Sequence, residues 1–310
     1  MAVRGSRKRK GKTRLPSART PEDLVTANGA TSVGFLEQAQ TKADKAAPHL
    51  RDALELREHL RDKRTLDEAL RDGAIYRQLA AGAGFSEKAL GHVSQRDIKR
   101  ALQSSLGQLS RRDWREELVY RFLLTRGDSL GGFMRNYAGY RAASKFSTLL
   151  ADELDKTGIR CVVDRAPDKP DKVNAVTWEK RLIVFNRKFP HTGKNVDAIL
   201  LAAKDGMPGQ AASLLKDHPH RILACGELKG GVDPAGADEH WKTANSALQR
   251  IRQWRRRSKI DVKLFFVGGA IVTAMAAEIW AQLRKGDLDF AANLNHDAQM
   301  RDLVRWLAAL

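Results

Sequence analysis

Cysteine is nearly absent from the 310-residue chain, which has only Cys161 and Cys225. One pair in a chain of this length makes no disulfide framework and supplies too few ligands for a zinc site. Both lie in short apolar runs, so they read as reduced core residues. No secretory leader is expected either, because the basic start is followed by Thr, Pro and Ser rather than by an apolar run. The longest apolar stretch, Phe265 to Leu283, is interrupted by Gly268-Gly269 and Glu278. It reads as strand, turn and helix, not as a membrane span. No membrane partner is expected, and the expected compartment is the cytoplasm. Acidic residues are also in deficit, with 37 Asp and Glu against 55 Lys and Arg, for a formal net charge of +18.

That excess of base is the first positive signal. A strongly cationic chain attracts polyanions, of which nucleic acid is the commonest strong one in a cell. The alternative is charge that serves only solubility. With 42% hydrophobic residues the chain can bury a core. Residues 1–14 carry Arg4, Arg7, Lys8, Arg9, Lys10, Lys12 and Arg14 with no acid, the composition of a disordered arm able to touch phosphate. A merely solvated tail explains it equally well.

The expected organisation is a basic arm and lead-in over 1–34, a helical domain over 35–126 and an α/β domain over 127–310. In the helical part, Leu50, Leu54 and Leu60 mark one apolar stripe, and Ser94 with Asp97 forms a capping-box start to a helix. Gly127 to Gly132 reads as a loop, followed by a helix from about Phe133 to Thr157. Short apolar runs then suit strands at Ile159 to Val163, Leu182 to Phe185, Val196 to Ala202, Ile222 to Leu228 and Val262 to Val267. A helix from Pro234 to about Arg257, with Trp241, Ala244, Leu248 and Ile251 on its apolar stripe, separates the last two runs. Two more helices are expected from about Ala270 and about Phe290. The fold class is α/β, a mixed sheet covered by helices on both sides.

The run Ile222-Leu223-Ala224-Cys225-Gly226-Glu227-Leu228-Lys229 begins as core and ends in two charges. Side chains alternate along a strand, so Glu227 and Lys229 share a face. A carboxylate and an ammonium emerging together from a buried strand are costly unless something uses them. Asp197 opens a second strand. If the two strands are neighbours, Asp197 and Glu227 form an oxygen site suited to Mg²⁺, and Lys229 can position water and stabilise charge on a phosphodiester under attack. An ordinary strand-end salt bridge between Glu227 and Lys229 accounts for the same residues.

The block running Gly226-Glu227-Leu228-Lys229-Gly230-Gly231-Val232-Asp233-Pro234-Ala235-Gly236-Ala237-Asp238-Glu239-His240-Trp241-Lys242-Thr243 resembles the active-site block of the AvaI/BsoBI family of type II restriction endonucleases. Gly127 to Asn136, followed by Gly139, is similar to that family's other recurrent block, and Lys194-Asn195-Val196-Asp197 sits where the family carries its metal-binding Asp. The resemblance spans about Ala83 to Trp254. It implies a restriction-endonuclease-like mixed sheet flanked by helices, with a mainly helical N-terminal domain that helps enclose DNA. It also implies Mg²⁺-dependent cutting of double-stranded DNA by a homodimer at a short palindrome close to C-pyrimidine-C-G-purine-G.

Residue by residue, the resemblance makes Asp197 and Glu227 the metal ligands, Lys229 the active-site lysine and His240 a general base on the attacking water. The bland reading of His240 is a helix-face histidine. Asp233 matches a position that touches the recognition sequence, and it also reads as an N-cap before Pro234. Lys88 lies in a segment similar to the family's DNA-contacting helical region, although by itself it reads as a solvated surface lysine. Arg255, Arg256 and Arg257 end a helix where cations suit the dipole, and they are also candidate phosphate contacts. Two other functions compete with this one: a structure-specific or repair nuclease of the same fold, and a DNA-binding protein without catalysis.

Overall fold

The computed structural model describes residues 17–106, 114–167, 169–203 and 208–310. The basic arm of residues 1–14 lies outside them. The chain divides into two units, one of residues up to Phe35 together with Tyr137–Leu310, the other Leu36–Asn136.

The second unit is helical. Helix α1 (Asn28–Arg61) runs into it, followed by α2 (Leu66–Leu70), α3 (Tyr76–Gly82), α4 (Gln95–Leu106) and the first half of α5 (Trp114–Lys156). Its core is Ala53, Leu56, Leu60, Leu70, Ile75, Leu79, Ile98, Leu102, Leu118 and Phe122. Leu60 is buried as expected, but Leu50 and Leu54 are exposed, and Ala53 and Leu56 take their place on the inner face. The capping box forms: the Asp97 carboxylate accepts from the Ser94 amide at 2.9 Å, and Ser94 Oγ accepts from the Asp97 amide at 3.3 Å.

The expected loop at Gly127 to Gly132 is instead continuous helix inside α5. Each glycine costs roughly 1 kcal/mol there relative to alanine. Burial of Leu118, Phe122 and Leu130 on the same helix offsets that cost, so tertiary packing overrides the local glycine signal.

The first unit is built on one seven-stranded sheet in sequence order: β1 (Cys161–Ala166), β2 (Lys169–Trp178), β3 (Arg181–Phe189), β4 (Lys194–Ala202), β5 (Ile222–Lys229), β6 (Lys263–Gly268) and β7 (Phe290–Asn293). Strands β1 to β5 form an antiparallel meander, whereas β5, β6 and β7 are parallel. Parallel neighbours need crossover helices, supplied by α7 (Ala237–Ser258) and α8 (Thr273–Lys285), with the short α6 (Ala211–Asp217) between β4 and β5 and α9 (Asp297–Ala308) closing the chain.

The five expected strands are present, with shifted ends. Strand β2 escaped the sequence reading because it opens on charge and proline. Strand β7, Phe290-Ala291-Ala292-Asn293, is alanine-rich and reads locally as the helix expected from Phe290. That helix begins only at Asp297.

Adjacent residues of β6 show how the sheet is covered, since neighbouring side chains point to opposite faces. The ring of Phe265 meets Phe146 of α5 at 6.3 Å and Trp306 of α9 at 6.4 Å, while Phe266 meets Trp241 of α7 at 5.0 Å. Among the described residues, no helix is long and apolar enough to cross a membrane.

Candidate active site

Strands β4 and β5 pair as Ala198↔Gly226 and Ile199↔Cys225. One step outward, where the registered ladder stops, stand Asp197 and Glu227. The Leu228 amide donates to Asp197 Oδ2 at 3.0 Å instead of to a strand carbonyl. Asp197 therefore terminates the ladder with its side chain.

The Lys229 ammonium bridges the two acids, 2.7 Å from Asp197 Oδ2 and 2.7 Å from Glu227 Oε2. In the parallel register Glu227 stands beside Phe266, which places it on the face covered by α7. Gly226, one residue earlier, faces the other way, directly under the Phe265 ring. A Cβ there would run into the ring, so only glycine brings β5 and β6 this close.

Exposure is graded across the cluster: the side chains of Glu227, Lys229 and Asp197 are 4%, 19% and 30% exposed. Burial, and then the Asp197 carboxylate beside it, push Glu227 up to about 8. Burial works against the Lys229 ammonium, but Glu227 and Asp197 outweigh it and hold its pKa above the usual lysine range. Cys225, behind Glu227 on the same face, is fully buried. Burial and Glu227 keep its thiol protonated, as expected of an inert core cysteine.

The donor set fits a hard divalent cation. Glu227 Oε1 is buried and has no hydrogen-bond partner among the described residues, an expensive state for a carboxylate oxygen unless a cation meets it. The described residues hold no group of three or more His, Cys, Asp or Glu able to form an all-protein cage. Two carboxylates suit Mg²⁺, which keeps several waters and completes its shell with phosphate oxygens.

Beyond Lys229 the chain turns through Gly230-Gly231. A Cβ on Gly230 would strike the carbonyl of Ala138 on α5, so the turn lies directly against that helix. A Cβ on Gly231 would stand 3.0 Å from His240 Nε2, which places the exposed His240 ring over the turn that follows the lysine. Asp233 is exposed and caps the 3-10 turn Pro234–Gly236, its Oδ1 accepting from the Ala235 amide at 2.9 Å.

The remaining expected DNA contacts are dispersed. Arg255 is committed inward, its Nη1 donating to the Val262 carbonyl at 2.7 Å and lying 3.2 Å from the Asp289 carboxylate. Arg256 is exposed and pairs with Asp287 at 3.1 Å, and Arg257 is exposed. Lys88 is an exposed residue of the helical unit.

Sequence reasoning missed Thr26, Asn293, Asn295 and Gln299, which hydrogen-bond to one another and to the turn that follows β6. They gave no local signal, because they meet across nearly the whole length of the chain. The glycine pairs at 230–231 and 268–269 were visible only as turns.

A mixed sheet that brings an Asp, a Glu and a Lys together at the open end of two neighbouring strands is the architecture of the restriction-endonuclease-like class. Residues 16–170 and 171–310 match the family described as Restriction endonuclease BsobI. The chain is 36% identical over 309 residues to the type II restriction enzyme AvaI of Nostoc sp., covering 93% of this chain and 97% of that protein, and matches AvaI of Anabaena variabilis to the same extent. To the type II restriction enzyme BsoBI of Geobacillus stearothermophilus it is 32% identical over 308 residues, covering 92% and 95%. The chain belongs to the BsoBI family of restriction endonucleases.

Proposed function

We propose that the chain is a type II restriction endonuclease that hydrolyses phosphodiester bonds of double-stranded DNA at a short palindromic site, with Mg²⁺ as cofactor. The observation that carries this is the convergence of Asp197, Glu227 and Lys229 within hydrogen-bonding distance, beside a buried Glu227 oxygen that has no hydrogen-bond partner among the described residues. Asp197 and Glu227 would hold the cation, which when bound would polarise the scissile phosphate and lower the pKa of a water. Lys229, kept charged by the two acids, would orient the attacking water and stabilise the charge that develops on the phosphate oxygens. The His240 imidazole, over the Gly230-Gly231 turn, is the group near Lys229 suited to take a proton from that water.

Two cuts in a palindrome call for two centres related by a two-fold axis, so the working unit is a homodimer. The net charge of +18 favours association with a polyanion, and cytoplasmic DNA is the expected target. The intact acid–lysine cluster argues against a DNA-binding protein without catalysis.

Incubating plasmid DNA with the protein and Mg²⁺ tests the reading. Discrete fragments, ending at sites of the C-pyrimidine-C-G-purine-G type, are expected. A smear or nicking would instead indicate a nuclease without sequence preference, and intact plasmid would remove the catalytic assignment.

A further inference from the structure

The carbonyl of Lys229 accepts from the Gly269 amide at 2.6 Å, so the turn that follows β6 holds the backbone of the active-site lysine. The two turns are packed backbone to backbone: a Cβ on Gly269 would lie 2.7 Å from the Gly231 carbonyl oxygen and 3.2 Å from the Gly230 carbonyl carbon. Gly231 in turn sits under His240. Whatever fixes Gly269 therefore fixes the backbone of Lys229 and the Gly230-Gly231 turn over which the His240 ring of α7 lies.

Gly269 is held by a network that begins at the other end of the chain. The Thr26 hydroxyl donates to the Gly269 carbonyl at 3.2 Å and accepts from the Ile271 amide at 2.9 Å and from Asn293 Nδ2 at 2.8 Å. One donor and two acceptor positions are all that a hydroxyl has, and each is used. The Thr26 amide adds a bond to the Ile271 carbonyl at 2.9 Å. Asn295 Nδ2 donates to the same Gly269 carbonyl at 2.7 Å. Asn293, buried to 3% exposure, spends its second amide hydrogen on the Leu24 carbonyl at 2.9 Å. Gln299, 1% exposed, accepts from the Asn293 amide at 2.8 Å and donates to the Asp23 carbonyl at 2.6 Å.

We propose that Thr26 is a positioning residue for cleavage: its hydroxyl, seated by Asn293, clamps the Gly268–Ile271 turn that holds Lys229 in register with Asp197 and Glu227. The proposal rests on the cleavage reading above. Asn293 and Gln299 are buried and Thr26 and Asn295 half-buried; a network whose donors and acceptors are matched in this way favours one geometry, and removing one member leaves donors unpaired. Displacing a catalytic group by about 1 Å costs on the order of 10²-fold in rate. Among the described residues the hydrogen bonds of Thr26 go to Gly269, Ile271 and Asn293 and to none of the three cluster residues, so its loss acts on geometry and not on charge.

The test compares Thr26→Val, which keeps the shape and removes the hydroxyl, with Thr26→Ser, which keeps the hydroxyl. Thr26→Val should lower kcat by about 10- to 100-fold with KM and Ca²⁺-supported DNA binding unchanged. It should also speed hydrogen exchange at the Gly269 amide, while Thr26→Ser behaves as wild type in every measurement. Asn295→Ala, which removes the other side-chain donor to the Gly269 carbonyl, should move both readouts the same way and keeps the test open if Thr26→Val folds poorly.

Wild-type kcat in Thr26→Val, faster exchange without a change in kcat, or a kcat loss without faster exchange would each overturn the proposal. A wild-type protein that leaves DNA intact would overturn the cleavage reading, and the exchange comparison would still decide whether Thr26 holds the turn.

Discussion

Glu227 holds its proton up to about pH 8 because it is buried beside Asp197. A cation bound by that carboxylate must displace the proton, so affinity should rise with pH and level off above about 8. Titrating Ca²⁺ calorimetrically between pH 6 and 9 checks this, and a flat affinity would place the cation elsewhere. Asp197→Ala, Glu227→Ala and Lys229→Ala should each lower cleavage by at least about 10²-fold, and Lys229→Ala, which leaves both cation ligands in place, should keep Ca²⁺-supported DNA binding largely intact. A variant that cuts at the wild-type rate loses its assigned role. His240→Ala separates a general base from a surface histidine: the first predicts a fall in kcat of about 10²–10⁴-fold and loss of one limb of the pH–rate profile, the second predicts neither. Strand alternation made the Glu227–Lys229 pair legible from sequence. The approach of Asp197 was legible only conditionally, because periodicity does not reveal which strands are neighbours. Thr26 could not have been found this way, since nothing near it in sequence marks a site more than two hundred residues away.

At the scale of elements, sequence and structure agree where apolar periodicity is strong, as in α7, and part where local propensity opposes tertiary packing, as in α5 and β7. The glycines of α5 make the point testable. Gly127 is exposed and a Cβ there meets nothing within 4 Å, so Gly127→Ala should stabilise the protein by about 0.5–1 kcal/mol. Denaturant unfolding that shows a loss would mean that the glycine is required for some other reason. Helix α9 is tied to α5 through Glu153, whose buried carboxylate meets Lys156 at 2.7 Å, Arg301 at 2.9 Å and Arg305 at 2.6 Å. The hydrogen bond from Lys156, and then those from Arg301 and Arg305, hold its pKa near 2 against the opposing effect of burial. The stabilisation is complete above the ordinary Glu value of about 4.3. It is lost as the pH falls from there through about 2. Glu153→Gln should therefore melt lower at neutral pH and respond less to acid in that window, and parallel melting curves for the two proteins would exclude Glu153 from acid unfolding.

For the whole molecule, charge governs affinity more than specificity. Residues 1–14 contribute seven positive charges and no acid. Deleting them should weaken binding to all DNA sequences alike and make the dependence of log K on log salt shallower, by at most about 6. A changed sequence preference with an unchanged salt slope would mean that this segment reads bases. Composition pointed to a polyanion partner, and the family-like blocks pointed to the family that the chain belongs to. The way the chain's beginning is tied to its end became visible only in three dimensions.

That tie sets an order of assembly. Asp23, Leu24 and Thr26 bond to Asn293 and Gln299 at sequence separations of 267 to 276 residues, among the most distant contacts the chain can make. Contacts of such separation close late, because the entropy of bringing the ends together is lost before anything is gained. During synthesis Asp197, Glu227 and Lys229 are all made well before Asn293 and Gln299 exist. A growing chain thus carries Asp197, Glu227 and Lys229 before the contacts to Asn293 and Gln299 can form, and those contacts wait for the last strand and the last helix.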